Sequence, residues 1–165
     1  MPSGWGSGND PPGKRRETCY RVRSFFILKS SHWVIYIVPM RIFKNKWFER
    51  WARKEDVSDG LLVNAASEIA AGNVEADLGG CLFKKRFPMK GMGKRGGYRV
   101  LVGYKKPNED RIIFLYAFAK NTRSNISVKE QEALSLVAES FISTTDAELQ
   151  KLLENGSIWE IVRHE

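Results

Sequence analysis

The sequence predicts an α+β fold: an antiparallel β-sheet with two N-terminal helices packed on it and further helices at the C-terminal end. Along the chain, two segments with helical spacing of apolar residues come first. Three apolar, strand-like runs follow, and helical spacing then returns. The last two runs are joined by the turn-forming segment Lys106–Asp110, which favours an antiparallel hairpin. The chain has 165 residues, of which 42% are hydrophobic, so it can form one domain with a core.

Residues 1–39 lie outside this pattern. Residues 1–12 are rich in Gly, Ser and Pro, which predicts disorder. Two short apolar segments follow, Phe25–Leu28 and Trp33–Val38, and each is far shorter than the roughly 20 apolar residues of a membrane helix. Three interpretations stay open: a disordered or non-native extension upstream of a natural start at Met40, an added strand at 33–38, or a membrane-associating segment. The first is preferred, so we expect the folded domain at 40–142 and a C-terminal helix and tail at 143–165.

Two helices are expected after a short strand at Arg41–Phe43. The first spans Lys46–Lys54, and its aromatic residues recur at helical spacing. We expect them in the core rather than in a platform for nucleobases: Trp47, Phe48 and Trp51. The second helix has Ser58 as its N-cap and ends near Ala71, where Gly72-Asn73 follows.

The remaining elements have equally local signals. The three strands are predicted at Gly80–Lys85, Gly97–Tyr104 and Arg111–Ala119. Ser127 and Glu130 form a capping box for a helix at Val128–Phe141. The same signature begins a last helix, which ends at Asn155-Gly156, and its two members are Thr145 and Glu148.

A basic segment lies among the strands. Residues 84–99 contain seven Lys or Arg, four glycines and no acid. Residues 84–123 contain twelve Lys or Arg against two acids, whereas the rest of the chain has fifteen cations and seventeen acids. This asymmetry predicts a basic face that binds nucleic acid or another polyanion. The alternative is a basic surface that only keeps the protein soluble.

Cysteine and histidine are too sparse for several kinds of site. The two cysteines, Cys19 and Cys81, are far apart, which favours a reducing compartment and a cytoplasmic protein. The two histidines, His32 and His164, lie near the chain ends. A histidine metal site and a Ser-His or Cys-His nucleophile are therefore disfavoured, and we expect neither a metal nor a cofactor.

Three segments in order carry a family resemblance: Leu-Phe-Lys-Lys-Arg at 82–86, Gly-Met-Gly-Lys-Arg-Gly-Gly-Tyr-Arg-Val-Leu at 91–101, and Phe-Ala-Lys-Asn-Thr-Arg-Ser-Asn-Ile at 118–126. Together they resemble the RelE/ParE toxin superfamily of bacterial toxin–antitoxin systems, in particular its RelE-like, HigB-type branch. The resemblance covers residues 40 to about 142. It implies a cytoplasmic endoribonuclease that cuts mRNA on the ribosome and is inhibited by a helix-turn-helix or RelB-like antitoxin.

RNA cleavage without a metal needs an activated 2′-hydroxyl, a stabilised phosphorane and a protonated leaving oxygen. Arg99 matches a family arginine that acts on the scissile phosphate, and we expect it exposed at a strand end. Lys85 matches a family lysine, with Lys84 and Arg86 on the opposite face of the strand. With no histidine in the domain, the crowded lysines are the candidates for both the base and phosphate binding: Lys84, Lys85 and Lys94.

Six further residues are expected near RNA: Arg86, Lys90, Arg95, Tyr98, Lys120 and Arg123. Tyr98 is preferred as a core or edge tyrosine over a proton donor.

Some positions depart from the family pattern. Asn121 stands where RelE proteins carry a second arginine, Ser127 where a tyrosine stacks on mRNA, and Thr122 where an acid is common. The histidines of HigB-type signatures are missing. Two other functions therefore stay open: a ParE-like inhibitor of DNA gyrase and a non-catalytic nucleic-acid-binding module.

Overall fold

A mixed β-sheet forms the centre of the fold in a computed structural model, which describes residues 40–88, 97–105 and 111–162. Its six strands are β1 (Arg41–Asn45), β2 (Ala76–Asp77), β3 (Leu82–Pro88), β4 (Gly97–Tyr104), β5 (Arg111–Ala119) and β6 (Ile158–Ile161). The four helices are α1 (Lys46–Lys54), α2 (Asp59–Ala70), α3 (Val128–Ser143) and α4 (Asp146–Glu154).

The strand order is β2-β3-β4-β5-β1-β6, and every neighbouring pair is antiparallel except β1 with β5. The predicted α+β fold is therefore confirmed, with one parallel pair added. The parallel pair forms because the chain leaves β1 through two helices and three strands before it returns beside β1 as β5. The segment expected as a C-terminal helix and tail contains α4 and β6, and β6 pairs with β1.

Each face of the sheet has its own hydrophobic core. The face that we call the α1–α2 face carries Ile42, Val100 and Phe114, which pack with Phe48 of α1 and Leu62 of α2. The opposite face, the α3 face, carries Phe43, Leu101 and Ile113, which pack with Ala138 and Phe141 of α3. Gly103 lets α3 approach β4 closely, because a Cβ there would lie 2.9 Å from Ile113 Cγ2 and 3.1 Å from Ala138 Cβ.

Most helix signals are confirmed and two details differ. The capping boxes at Ser127 and Thr145 are both present. The strand predicted at Gly80–Lys85 begins instead at Leu82, because Gly79, Gly80 and Cys81 have φ of 80°, 58° and 61° and form a turn. Trp47 is 43% exposed, so its predicted place in the core is wrong, whereas Phe48 is fully buried.

Residues 1–39, with their three interpretations, lie outside the described residues. Within the described ranges, no helix is long and apolar enough to cross a membrane.

Candidate active site

The pairing of β3 with β4 decides which predicted residues share a face. Arg86 lies opposite Arg99, and Lys85 lies opposite Val100. Directly opposed residues share a face and successive residues alternate between faces. Lys84, Arg86 and Arg99 therefore lie on the α3 face, whereas Lys85 and Tyr98 lie on the α1–α2 face. The alternation predicted for Lys84, Lys85 and Arg86 is present, but Lys85 and Arg99 do not share a face.

Arg99 is buried and ion-paired. Its side chain is only 7% exposed, and its Nε lies 2.5 Å from a carboxylate oxygen of Glu75. The same oxygen is 3.4 Å from Nε of Arg86, so one carboxylate contacts both arginines. The expected exposure of Arg99 is wrong because β4 is an inner strand, flanked by β3 and β5, with Phe118 opposite Arg99 on β5. A cation buried this deeply requires a charged partner, and Glu75 supplies it.

Lys85 has a different set of partners. Its Nζ lies 2.6 Å from a carboxylate oxygen of Glu68 on α2 and donates a 2.7 Å hydrogen bond to the carbonyl oxygen of Asn73. The lysine therefore ties β3 to the end of α2. Lys84 is half-buried on the α3 face.

Tyr98 is part of the core on the α1–α2 face. Its hydroxyl donates a hydrogen bond to the carboxylate of Glu55, and its ring packs edge-on against Trp51 with centroids 5.0 Å apart. The hydrogen bond to Glu55 and, secondarily, burial raise the pKa of Tyr98 to about 12. The phenol therefore keeps its proton at neutral pH.

Arg123 is held at the beginning of α3. Its Nη1 donates a 2.8 Å hydrogen bond to Glu130, and its Nε donates to the carbonyl oxygen of Asn125. The Arg123 guanidinium, followed by the backbone N–H and hydroxyl of Ser127, lowers the pKa of Glu130 to about 2. Ser127 is thus the helix cap of α3. Lys120, Asn121 and Thr122 lie in the exposed turn after β5.

Three predicted residues, Lys90, Lys94 and Arg95, lie outside the described residues. Conversely, two carboxylates that pair with predicted cations, Glu68 and Glu75, were not anticipated from the sequence. The signal for them was weak: Glu68 is one acid of the predicted second helix, and Glu75 is one of two acids between that helix and the basic segment. In the part of the chain that the structure describes, no group of three or more His, Cys, Asp and Glu side chains could hold a metal ion.

A comparison with models of protein families shows to which family the chain belongs. A family model described as "RelE toxin of RelE / RelB toxin-antitoxin system" matches residues 40–161. The chain belongs to the RelE toxin family. The match includes every strand and helix described above and leaves residues 1–39 unmatched. This RelE toxin therefore has a cognate antitoxin as its partner. No curated protein matches the chain.

Proposed function

We propose that this RelE toxin is a ribosome-dependent mRNA endoribonuclease that acts in the cytoplasm and needs no metal ion for the cleavage step. The observation that carries the proposal is the set of three cations on the α3 face: Lys84, Arg86 and Arg99. The Arg99 guanidinium is anchored to Glu75 through Nε, and a guanidinium has further N–H donors in a planar fork that suits a phosphate oxygen pair.

The proposed reaction is attack of the RNA 2′-oxygen on the adjacent phosphorus. A bond forms between phosphorus and the 2′-oxygen, and the bond to the 5′-oxygen breaks. The products are a 2′,3′-cyclic phosphate and a 5′-hydroxyl. Arg99 and Arg86 stabilise the negative charge of the phosphorane, because fixed donors at a developing charge act without reorganisation.

Proton transfer requires a second group. Lys84 shares the α3 face with Arg99 and can protonate the leaving 5′-oxygen as an ammonium. Lys94, in the basic segment, is the candidate base: as a neutral amine it takes the proton of the attacking 2′-hydroxyl. Lys85 contacts α2 on the opposite face, so we assign it to holding β3 in place.

We also propose the HigB-type branch, from the three motifs in the sequence, and a helix-turn-helix or RelB-like antitoxin as the partner. Lys120, which is exposed, follows β5 and adds positive charge, and Arg123, whose charge is paired with Glu130, lies just before α3. These cations fit a negatively charged RNA substrate.

Primer extension on cellular mRNA after brief induction tests the proposal. We expect cuts within translated codons, and end-group analysis of ribosome-bound mRNA should give a 2′,3′-cyclic phosphate on the upstream fragment. A DNA-damage response without cuts would instead indicate a ParE-like gyrase inhibitor, and neither effect would indicate a non-catalytic module. A 3′-hydroxyl with a downstream 5′-phosphate would contradict the proposed chemistry.

A further inference from the structure

The outward surface of α1 carries only cations and one aromatic residue. The helix contains four cations and a single acid, Glu49, which is buried and ion-paired with Lys44 and Arg53. At 3.6 residues per turn, its exposed side chains fall within an arc of about 120°. We call this arc the α1 surface, and it consists of Lys46, Trp47, Arg50, Arg53 and Lys54.

Helix stability accounts for only part of this pattern: Arg53 and Lys54 lie in the last turn of α1, where the helix dipole favours a cation. Lys46 is the first residue of α1, where the helix dipole disfavours a cation. Lys46 and Arg50 are four residues apart, as are Arg50 and Lys54, and like charges at this spacing destabilise a helix. Within residues 40–88, 97–105 and 111–162, none of these three cations forms an ion pair.

The spacing of the three cations suits a polyanion of regular repeat. A step of four residues advances about 6 Å along a helix, so Lys46, Arg50 and Lys54 form a row of evenly spaced charges. This separation is close to that of neighbouring phosphates along a nucleic-acid strand. The row can therefore contact successive phosphates of one strand.

Trp47 adds a surface for a base. Its side chain is 43% exposed, and its ring is stacked on Tyr116 with centroids 4.4 Å apart and planes inclined at 33°. Tyr116 in turn lies 6.4 Å from the ring of Phe118, which is the cross-strand neighbour of Arg99. The indole therefore packs against a second ring. A series of neighbouring side chains leads from it through Tyr116 and Phe118 to Arg99 in the candidate active site.

We propose that the α1 surface is a second RNA-binding surface, in which Lys46, Arg50 and Lys54 contact phosphates and Trp47 stacks on an unpaired base. Cationic side chains beside an exposed aromatic ring are the usual means of binding single-stranded RNA. The inference rests on the proposed function, because it takes RNA as the substrate. A strand bound at Arg99 continues past Phe118 and Tyr116 onto α1.

The test measures binding without cleavage. The probe is a short single-stranded RNA of mixed sequence with 2′-O-methyl groups, which lacks the attacking hydroxyl, so the result does not depend on whether the protein cuts RNA. The variant is Arg50→Gln/Lys54→Gln, since glutamine preserves helix propensity. The matched control is Lys129→Gln/Lys151→Gln, which removes the same charge from exposed positions of α3 and α4.

A plot of log affinity against log salt concentration has a negative slope, which should become less steep by about 1.4 in Arg50→Gln/Lys54→Gln, because two phosphate contacts are lost. The slope should stay unchanged in the control. Trp47→Ala should weaken binding by at least about fivefold, and Trp47→Phe should restore most of it. The midpoint of thermal unfolding should change little in Arg50→Gln/Lys54→Gln, because the repulsion that is removed offsets the lost interaction of Lys54 with the helix dipole.

Three results would overturn the inference. One is an equal change of slope in the variant and its control, or no change in either. Another is unchanged RNA binding after Trp47→Ala. The third is loss of binding to the purified cognate antitoxin alone, with RNA binding intact, which would make the α1 surface a protein interface.

Discussion

The cations of the sheet and those of α1 are of the same residue types but differ in their surroundings. Four cations are buried among the described residues, and each pairs with a carboxylate: Lys44 with Glu49 and Asp59, Lys85 with Glu68, Arg99 with Glu75, and Arg111 with Asp146. The exposed row of α1 has no such partners among the described residues. A buried charge must be compensated and is therefore fixed in position, whereas an exposed charge stays hydrated and mobile.

This difference separates two tasks. A fixed guanidinium can stabilise a transition state, because its position does not change as charge develops. Exposed cations supply affinity that is screened by salt, and their exact positions matter less. We therefore expect substitutions at Arg99 to change the rate of cleavage and substitutions on the α1 surface to change binding.

The largest expected effect is that of Arg99→Lys, which should lower the rate of mRNA cleavage on programmed ribosomes by about 100-fold or more. Lysine keeps the charge but lacks the planar fork that can bind Glu75 and a phosphate together. The control is Arg41→Lys, which disrupts another arginine–glutamate pair, with Glu160, at the far end of the sheet. An equal decrease of the cleavage rate in both variants would show that Arg99 has no specific role in cleavage.

The next comparison is between neighbouring lysines on opposite faces. Lys84→Met should slow cleavage by at least about tenfold, because it removes an ammonium from the α3 face. Lys85→Met should leave cleavage nearly unchanged and should destabilise the fold by about 1 kcal/mol, since Glu68 remains half-exposed and hydrated. Single-turnover kinetics and urea unfolding measure both, and the reverse order of rates would contradict the assignment of faces.

A smaller effect is expected for the carboxylates. Glu75→Gln should reduce the cleavage rate several-fold and the free energy of unfolding by about 1–2 kcal/mol, because Arg99 loses its charged partner but keeps an acceptor. Glu68→Gln changes the corresponding partner of Lys85 and serves as the control. It should affect unfolding without slowing cleavage. A comparable loss of cleavage in Glu68→Gln would argue against a specific role of Glu75.

The smallest effect concerns pH. The pKa of Glu130 is lowered from 4.5 to about 2 by Arg123 and then by Ser127, so the carboxylate stabilises the fold above pH 4.5. This contribution should disappear as the pH falls from about 4.5 to about 2. The difference in unfolding midpoint between the wild type and Glu130→Gln should shrink over this range. A difference that is constant with pH would mean that the charge of Glu130 is not involved.

The helices were predictable because their signals are local. Both capping boxes consist of residues three apart, and the structure forms both. Trp47 was misplaced because helical spacing groups it with Trp51, whereas the buried arc of α1 is centred between Phe48 and Ala52. A residue at the edge of the buried arc of a helix can point either into the core or into solvent.

The pairing of strands and charges was not predictable from local signals. The parallel contact between β1 and β5 joins residues 70 positions apart, such as Arg41 and Arg111. The four-residue strand β6 has too few residues for a clear period. The alternation of side chains along a strand correctly predicted that Lys84 and Lys85 lie on opposite faces. It could not predict the ion pair between Glu75 and Arg99, because that contact depends on the path of the chain between α2 and β3.

The most direct test of this division of tasks is steady-state cleavage of mRNA on programmed ribosomes at several salt concentrations. We expect Arg99→Lys to lower kcat by about 100-fold with KM changed by less than about threefold. Arg50→Gln/Lys54→Gln should raise KM, weaken its salt dependence and leave kcat unchanged. If both variants lower kcat alike, or if Arg99→Lys changes only KM, the buried and exposed cations do not have the separate roles assigned here.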